Sequence, residues 1–371
     1  MPVFENRGEG RAAAAPVPEY REERRSMEKV IIDAMGGDNA PEQIVKGALE
    51  ALEADSGFTL VFTGDETAIK AELEKTPHDA SRVEIRHCTD VITNDDAPTR
   101  AIRTKTDSSL TVAFEILKTD PEAVALVTAG STGATLAGGI FMIGRIKGIS
   151  RPALCPGLPN VTGGQTLLCD CGANLDCKPI NLAHFAIMGS AYAQATMGKE
   201  RPKVGLLNNG AEAHKGDELH QTAYRILSQM DCINFAGNIE GRDIMYGDYD
   251  VVVSDGFSGN VAMKAVEGCG KTVSEILKQS VSRNIFTKLG AAFSYGTFSR
   301  LKSMLDYHKY GGSVFVGLKK IVLKSHGSSK AITIKASILK ALDAHRNNLT
   351  QTIEDMLSRV DLKAIEAACR A

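Results

Sequence analysis

Several polar clusters in this chain share one form: a short apolar run ends, glycine and small polar residues follow, and a helical pattern begins. Ala129-Gly-Ser-Thr-Gly133 is the most compact. Backbone N–H groups at a helix start favour an anion, and here the hydroxyls of Ser131 and Thr132 stand beside them, with Gly133 keeping the backbone open. A tight turn that merely needs glycine has the same sequence. Ser325-His-Gly-Ser-Ser329 is a second such loop, with Lys324 ahead of it. His326 and Ser328 are its candidate contacts to phosphate or to the head of a cofactor, and a plain Ser cap is the competing reading. Lys105-Thr-Asp-Ser-Ser109 brings the Lys105 cation close to the Ser108 hydroxyl, which suits phosphate and simple capping equally.

Two loops are denser. Asp170-Cys-Gly-Ala-Asn-Leu-Asp-Cys-Lys-Pro179 holds Asn174, Asp176 and Lys178, and Asn208-Asn-Gly-Ala-Glu-Ala-His-Lys-Gly216 holds Asn209, Glu212, His214 and Lys215. Asn and Lys are donors suited to a developing oxyanion, and the acids Asp176 and Glu212 would orient the lysines. His214 has no visible partner and reads as a solvated loop residue. Asp255-Gly-Phe-Ser-Gly-Asn260 has the strand–turn–helix form of a site floor, with Asp255 and Asn260 as its polar groups. Ser258 misses the nucleophile-elbow spacing by one residue. Cys169, Cys171 and Cys177 cluster without a fourth ligand at usable spacing, so no metal is expected. Cys177 beside Lys178 offers an acyl-accepting nucleophile as a rival chemistry, set against its reading as a small buried residue. There is no P-loop and no Gly-x-Gly-x-x-Gly after a strand. Anion-favouring turns without a nucleotide signature suit free phosphate better than ATP, and no cofactor is expected.

The elements that must position these clusters are legible as apolar runs at residues 30–32, 60–63, 83–86, 123–128, 167–169, 204–207, 233–236 and 251–253, alternating with helical stretches. That alternation is the sequence form of a parallel α/β sheet. Ligands bind such sheets at the carboxyl ends of the strands, where these clusters all fall. A net charge of -2, with 24% charged residues, gives no basic excess for nucleic acid. The absence of a secretory signal ahead of the cysteines points to a reduced, cytoplasmic setting. No apolar run is long enough to span a bilayer. Residues 1–26, rich in Arg, Glu, Ala and Pro, read as a disordered extension, with Met27 as a candidate start. Residues 27–347 read as the α/β domain and 348–371 as a C-terminal helical tail. Residues 275–305 break the pattern: apolar positions interleaved with Lys278, Arg283, Lys288, Arg300 and Lys302 suit two amphipathic helices joined near Gly296. A packed hairpin or dimer seam explains them, and so does peripheral membrane contact.

The ordered motifs resemble the phosphate acyltransferase family of bacterial phospholipid synthesis. They include Ile32-Asp-Ala-Met-Gly-Gly-Asp-Asn-Ala-Pro41, Thr128-Ala-Gly-Ser-Thr-Gly-Ala134, Gly172-Ala-Asn-Leu-Asp-Cys-Lys-Pro179, Val253-Ser-Asp-Gly-Phe-Ser-Gly-Asn-Val261 and Lys324-Ser-His-Gly-Ser-Ser329, and the likeness runs from Val30 to Ile338. The chain departs from the family pattern at Ser131, where Asn is more usual, and between Gly210 and Lys215, where Glu212 is the only acid. The resemblance implies a three-layer α/β/α sandwich with a mostly parallel sheet, similar to phosphotransacetylases and isopropylmalate-type dehydrogenases. It implies transfer of a fatty-acyl group from acyl carrier protein to inorganic phosphate, and a downstream enzyme that uses the acyl phosphate to acylate glycerol 3-phosphate. It also implies a homodimer and a helical projection touching membrane or carrier protein, hence a cytoplasmic protein held at the inner face of the membrane. In the mechanism that fits, phosphate attacks the thioester directly. Lys178, Lys215, Asn174 and Asn209 then supply charge and donors, and Ser131, Thr132, His326 and Ser328 contact phosphate. Two other classes stay open from the residues alone. A nicotinamide-dependent dehydrogenase of similar fold would show itself by absorbance, and a docking module built on 275–305 would lack turnover.

Overall fold

The apolar runs become strands of two mostly parallel sheets. The strands are β1 (Glu28–Asp33), β2 (Phe58–Gly64), β3 (Val83–His87), β4 (Ala123–Thr128), β5 (Ala153–Cys155), β6 (Gly157–Pro159), β7 (Gln165–Cys169), β8 (Lys203–Asn208), β9 (Asn234–Glu240), β10 (Val251–Val253), β11 (Ser313–Val316) and β12 (Ile321–Lys324). The seven-stranded sheet runs β3-β2-β1-β4-β12-β11-β5 and the five-stranded sheet β6-β7-β10-β8-β9. Among these strands of the described residues only β11, against both its neighbours, and β6, against β7, pair antiparallel. This computed structural model describes residues 27–298, 300 and 310–370. The expected disordered extension at 1–26, and residues 299 and 301–305 of the expected projection, lie outside the described residues.

Central strands are buried on both faces, which is why they read as continuous apolar runs rather than alternating ones. Val30, Ile31 and Ile32 have no exposed surface. Helices α1 (Glu42–Ala54) and α10 (Ala331–Arg346) pack together over one face of the seven-stranded sheet, and α4 (Ser109–Thr119) covers the other. Helix α6 (Pro179–Met197) is apolar all round because it is enclosed; Leu182, Ala183, Phe185, Ala186 and Ile187 have no exposed surface. It packs against β7 and β10 of one sheet and β11 of the other, so a single core runs through both. Helices α11 (Leu349–Ser358) and α12 (Leu362–Arg370) close that core, Leu349, Ile353 and Met356 being buried in it.

The strands expected from the sequence are present, with β9 starting at Asn234 and running on to Glu240. Four short strands of three or four residues each, β5, β6, β11 and β12, were not foreseen. The projection carries the expected joint and one more. The joint near Gly296 falls at Ser294, the C-cap of α9 (Ile285–Phe293), with helix resuming at Tyr295, and a second break separates helix α8 (Gly256–Ser282) from α9 at Arg283–Asn284, where the Asn284 side chain accepts from Thr287 N at 3.0 Å and starts α9. At 27 residues α8 is about 40 Å long. It carries α9 with Phe286 and Phe293 80% and 93% exposed. Among the described residues no helix is long and apolar enough to cross a membrane.

Candidate active site

Three neighbouring strands of the larger sheet, β1, β4 and β12, end side by side, and their following loops form one wall of a cleft of about 670 Å³. The β1 loop contributes Gly37 and Asp38, the β4 loop Ser131 and Thr132, and the β12 loop Lys324 and His326. The facing wall comes from the smaller sheet: Gly172 after β7, and Asn260, Met263 and Lys264 on α8. Asp38 N donates to Gly327 O at 2.8 Å, which ties the β1 loop to the β12 loop.

Beneath this wall lies a buried polar group that needs glycine above it. Thr128 Oγ1 donates to Asp33 Oδ2 at 2.7 Å and accepts from Gly130 N at 2.9 Å. A Cβ on Gly36 would stand 2.6 Å from Asp33 Oδ2 and 2.7 Å from Gly130 N, so no larger residue fits. Asp33 Oδ1 is buried without a hydrogen-bond partner. Burial raises the Asp33 carboxyl above the ordinary range, opposed by the Thr128 hydroxyl and the Lys324 charge.

Among the described residues Lys324 is the one buried Lys or Arg, and it lines the cleft. Its Nζ donates to Ala129 O at 3.3 Å and to Ser325 O. Burial pulls the ammonium down to about 8, with the charges of Asp33 and Asp38 acting against the fall. His326 Nδ1 accepts from Ser328 N at 3.2 Å and lies 2.8 Å from Ser328 Oγ. An Nδ1 that accepts a backbone N–H leaves the proton of the neutral ring on Nε2, so His326 presents a donor. The Ser131 side chain caps α5 (Thr132–Gly138), accepting from Ala134 N at 3.5 Å. The wall is thus an ammonium, an imidazole N–H and hydroxyls, a set matched to an anion. The competing reading of this loop as a plain Ser cap is not what forms: the N-cap of α10 is Lys330, and Ser329 Oγ is buried without a hydrogen-bond partner.

The opposite wall is braced by Asp170. Its carboxylate accepts from Leu154 N, Cys171 N and Asn174 N, each at 2.7 Å, and from Asn174 Nδ2 at 3.1 Å. Burial outweighs these bonds and lifts the Asp170 carboxyl to about 6. Gly172 has φ +97, and a Cβ there would meet Asn260 Nδ2 at 2.5 Å, so the Asn260 amide lies close against the backbone at the cleft wall.

Of the residues singled out from the sequence, Ser131, Thr132, His326 and Asn260 line the cleft. Ser328 braces His326. Gly133 faces Pro98, and Ser108 is buried as the cap of α4. Lys105 is engaged by Asp96 at 3.0 Å and Val91 O at 2.9 Å. Asp255 caps α8, accepting from Phe257 N and Ser258 N at 2.9 Å. The Asn174 amide is used within the fold, donating to Pro152 O at 2.8 Å. Asp176 and Lys178 are exposed on their loop, with Lys178 N donating to Asn181 Oδ1 at 2.8 Å. Asn209, Glu212 and Lys215 form a second group on the β8 loop, where the Glu212 and Lys215 side chains close over Gly210. None of that group lines the cleft. Burial pushes the Cys177 thiol up to about 11, away from the reactive thiolate. Sequence reasoning passed over Asp33, Thr128 and Asp170 and left Lys324 as a neighbour. The signal available was a polar residue ending an apolar run, which becomes informative once strand order sets Asp33, Thr128 and Lys324 side by side.

The family profile described as "Fatty acid synthesis protein" matches residues 28–352. A phosphate acyltransferase of Clostridioides difficile (strain 630) is 41% identical over 331 residues, covering 89% of this chain and 96% of that protein. One from Thermoanaerobacterium thermosaccharolyticum is 46% identical over 313 residues, covering 84% and 92%. Among solved structures, a phosphotransacetylase from Streptococcus pyogenes is similar in fold, with a TM-score of 0.58 at 16% identity over 88% of this chain and 94% of that one. The EutD phosphotransacetylase from Staphylococcus aureus has a TM-score of 0.54 at 17% identity, over 86% and 94%.

Proposed function

The chain belongs to the phosphate acyltransferase family and is an acyltransferase that uses phosphate as acceptor; from that premise we propose that its donor is a long-chain fatty-acyl thioester of acyl carrier protein. The observation that carries this reading is the two-sided cleft: Lys324, His326, Ser131 and Thr132 on one wall suit a phosphate dianion, and Leu158 and Met263 on the other suit an acyl chain. Hydrogen phosphate is itself the nucleophile. Its oxygen forms a bond to the thioester carbonyl carbon, the C–S bond breaks, and the proton of hydrogen phosphate ends on the carrier thiol, so the reaction balances with no further reactant. The cationic wall holds the dianion against the carbonyl, which is chiefly positioning. Asn260, close against Gly172, donates to the oxyanion of the tetrahedral intermediate.

The product is an acyl phosphate, which we place before an enzyme that acylates glycerol 3-phosphate. The protein then works in the cytoplasm as a homodimer at the inner face of the membrane, resting on the α8–α9 projection. The exposed Ile285, Phe286, Leu289 and Phe293, with Lys278 and Arg283 nearby, support that contact.

The test is purified protein with palmitoyl-acyl carrier protein, with and without inorganic phosphate, product being trapped by hydroxylamine. Phosphate-dependent hydroxamate with release of carrier thiol is expected. Thiol release that ignores phosphate would make the protein a thioesterase and overturn the reading. Flotation with anionic vesicles, retained by the wild type and lost in Phe286→Glu/Phe293→Glu, tests the membrane contact.

A further inference from the structure

A carboxylate stands in the anion-binding wall, and the reaction proposed above leaves it unused. Asp38 lines the cleft with Ser131, Thr132, Lys324 and His326, and among the described residues it is the one acid that the three loops of this wall bring there. Its place is set by close packing. A Cβ on Gly37 would stand 2.9 Å from Ala129 Cβ and 2.9 Å from Gly327 O, so the β1 loop is wedged between the β4 and β12 loops. Ala129 O would be 3.3 Å from the same atom, and it is the carbonyl that accepts from Lys324 Nζ, also at 3.3 Å. The Asp38 turn and the Lys324 ammonium therefore meet at one carbonyl. Asp38 N donates to Gly327 O at 2.8 Å, and Asn39 Nδ2 donates to Ser329 O at 3.2 Å, so the chain is tied to the β12 loop at Asp38 and just after it. A Cβ on Gly327 would lie 3.4 and 3.5 Å from the two Asp38 carboxylate oxygens, which sets that carboxylate over the stretch between His326 and Ser328. Its charge acts on Lys324, yet neither oxygen makes a hydrogen bond or an ion pair among the described residues.

An ionised carboxylate can only accept hydrogen bonds. Beside a bound anion it repels an oxygen without a proton and attracts one that carries a proton. Hydrogen phosphate has such a proton. Sulfate and monofluorophosphate, equal to it in charge and close to it in size, have none. We propose that Asp38 is a specificity-determining residue of the phosphate site: it accepts the O–H of hydrogen phosphate, and its charge rejects tetrahedral dianions that have no proton to offer. The inference rests on the phosphate-acceptor reading above and adds which form of anion the cleft takes. Lys324, the His326 N–H and the hydroxyls recognise charge and shape, which sulfate and phosphate share, so these donors by themselves would bind both. Discrimination needs an acceptor that punishes the wrong ligand, and Asp38 is the acceptor at hand. A carboxylate that served only as counter-charge to Lys324 would weaken every anion alike, and its removal would leave their ratio unchanged.

The experiment measures how sulfate and monofluorophosphate inhibit phosphate-dependent hydroxamate formation, with palmitoyl-acyl carrier protein as donor. Mildly alkaline buffer is used, so that phosphate is chiefly the hydrogen phosphate dianion. In the wild type each competitor is expected to have an inhibition constant at least about 10²-fold above the KM for phosphate, because a charged hydrogen bond is lost and a repulsion takes its place. The Asp38→Asn amide can donate to any of these anions. In that variant the KM for phosphate is expected to rise, and the ratio of inhibition constant to KM to fall to within about tenfold of unity. A wild type that sulfate inhibits as tightly as phosphate binds overturns the proposal without recourse to a variant. A folded Asp38→Asn protein that keeps the wild-type ratio overturns it too, since a mere counter-charge gives that result. Hydroxamate that needs no phosphate would remove the acceptor reading and this inference together. Phosphate-dependent hydroxamate without discrimination would remove the inference alone.

Discussion

Replacing Lys324 by Met tests the charged wall most directly. Met keeps much of the length and removes the ammonium. A fall from 10.5 to about 8 corresponds to about 3 kcal/mol set against the charged form by burial. A phosphate dianion in the cleft reverses that penalty, so the ammonium and the anion bind each other's site reciprocally. Two consequences have opposite sign. The unfolded chain holds this proton up to about 10.5 and the folded chain only up to about 8. Folded stability contributed by this group therefore rises with pH between those values, and below about 8 the penalty is fully present. Activity moves the other way: kcat/KM for phosphate falls about tenfold per pH unit above the folded value. Phosphate's own second ionisation acts on the acid side and produces no such alkaline limb. Lys324→Met is expected to lower kcat/KM for phosphate by about 10²–10³-fold, the cost of losing one preorganised contact to developing or transferring charge. It should also abolish both the alkaline limb and the matching stability rise, while Lys324→Arg pushes the limb beyond the measurable range. The assay is phosphate-dependent hydroxamate formation across that interval, paired with urea unfolding at each pH. A wild-type profile flat through the interval, or a Lys324→Met protein with the same limb, would refute the assignment.

Three further outcomes follow from the same geometry. Gly36→Ala should destabilise the fold by about 1–3 kcal/mol, because its Cβ would sit 2.6 Å from Asp33 Oδ2, and urea midpoints should show the loss together with weakened phosphate binding. Asp170→Asn turns an amide group toward backbone N–H donors that now point at a carboxylate. A loss of about 1–3 kcal/mol for the stranded donors is expected by equilibrium unfolding, and an unchanged midpoint would contradict the bracing role. Cys177→Ala should keep full turnover, since a thiol held at about 11 is almost entirely protonated at neutral pH, and a dead but folded Cys177→Ala enzyme would revive the covalent route.

Chemistry class was legible in the chain for a physical reason. Parallel strands covered on both faces leave uninterrupted apolar runs, and the turns after them must carry whatever polar groups the site needs, so Ser131, Thr132, His326 and Asn260 could be picked out by position alone. The α8–α9 projection was visible too, because an apolar stripe mixed with lysines and arginines needs no tertiary contact to be recognised, although the helix break at Asn284 depended on a cap the spacing did not reveal. What the chain could not disclose was adjacency. Nothing in its linear order says that β1, β4 and β12 lie side by side, with Asp33 hydrogen-bonded to Thr128 and Lys324 in register beside it. Lys105, Asn174 and Asp255 have the right side chains at the right strand ends, yet the fold commits them to an ion pair, a carbonyl and a helix cap. Residue type and spacing determined which groups were available. Strand order, a long-range property fixed by how the sheets bury their faces, decided which of them share a cleft.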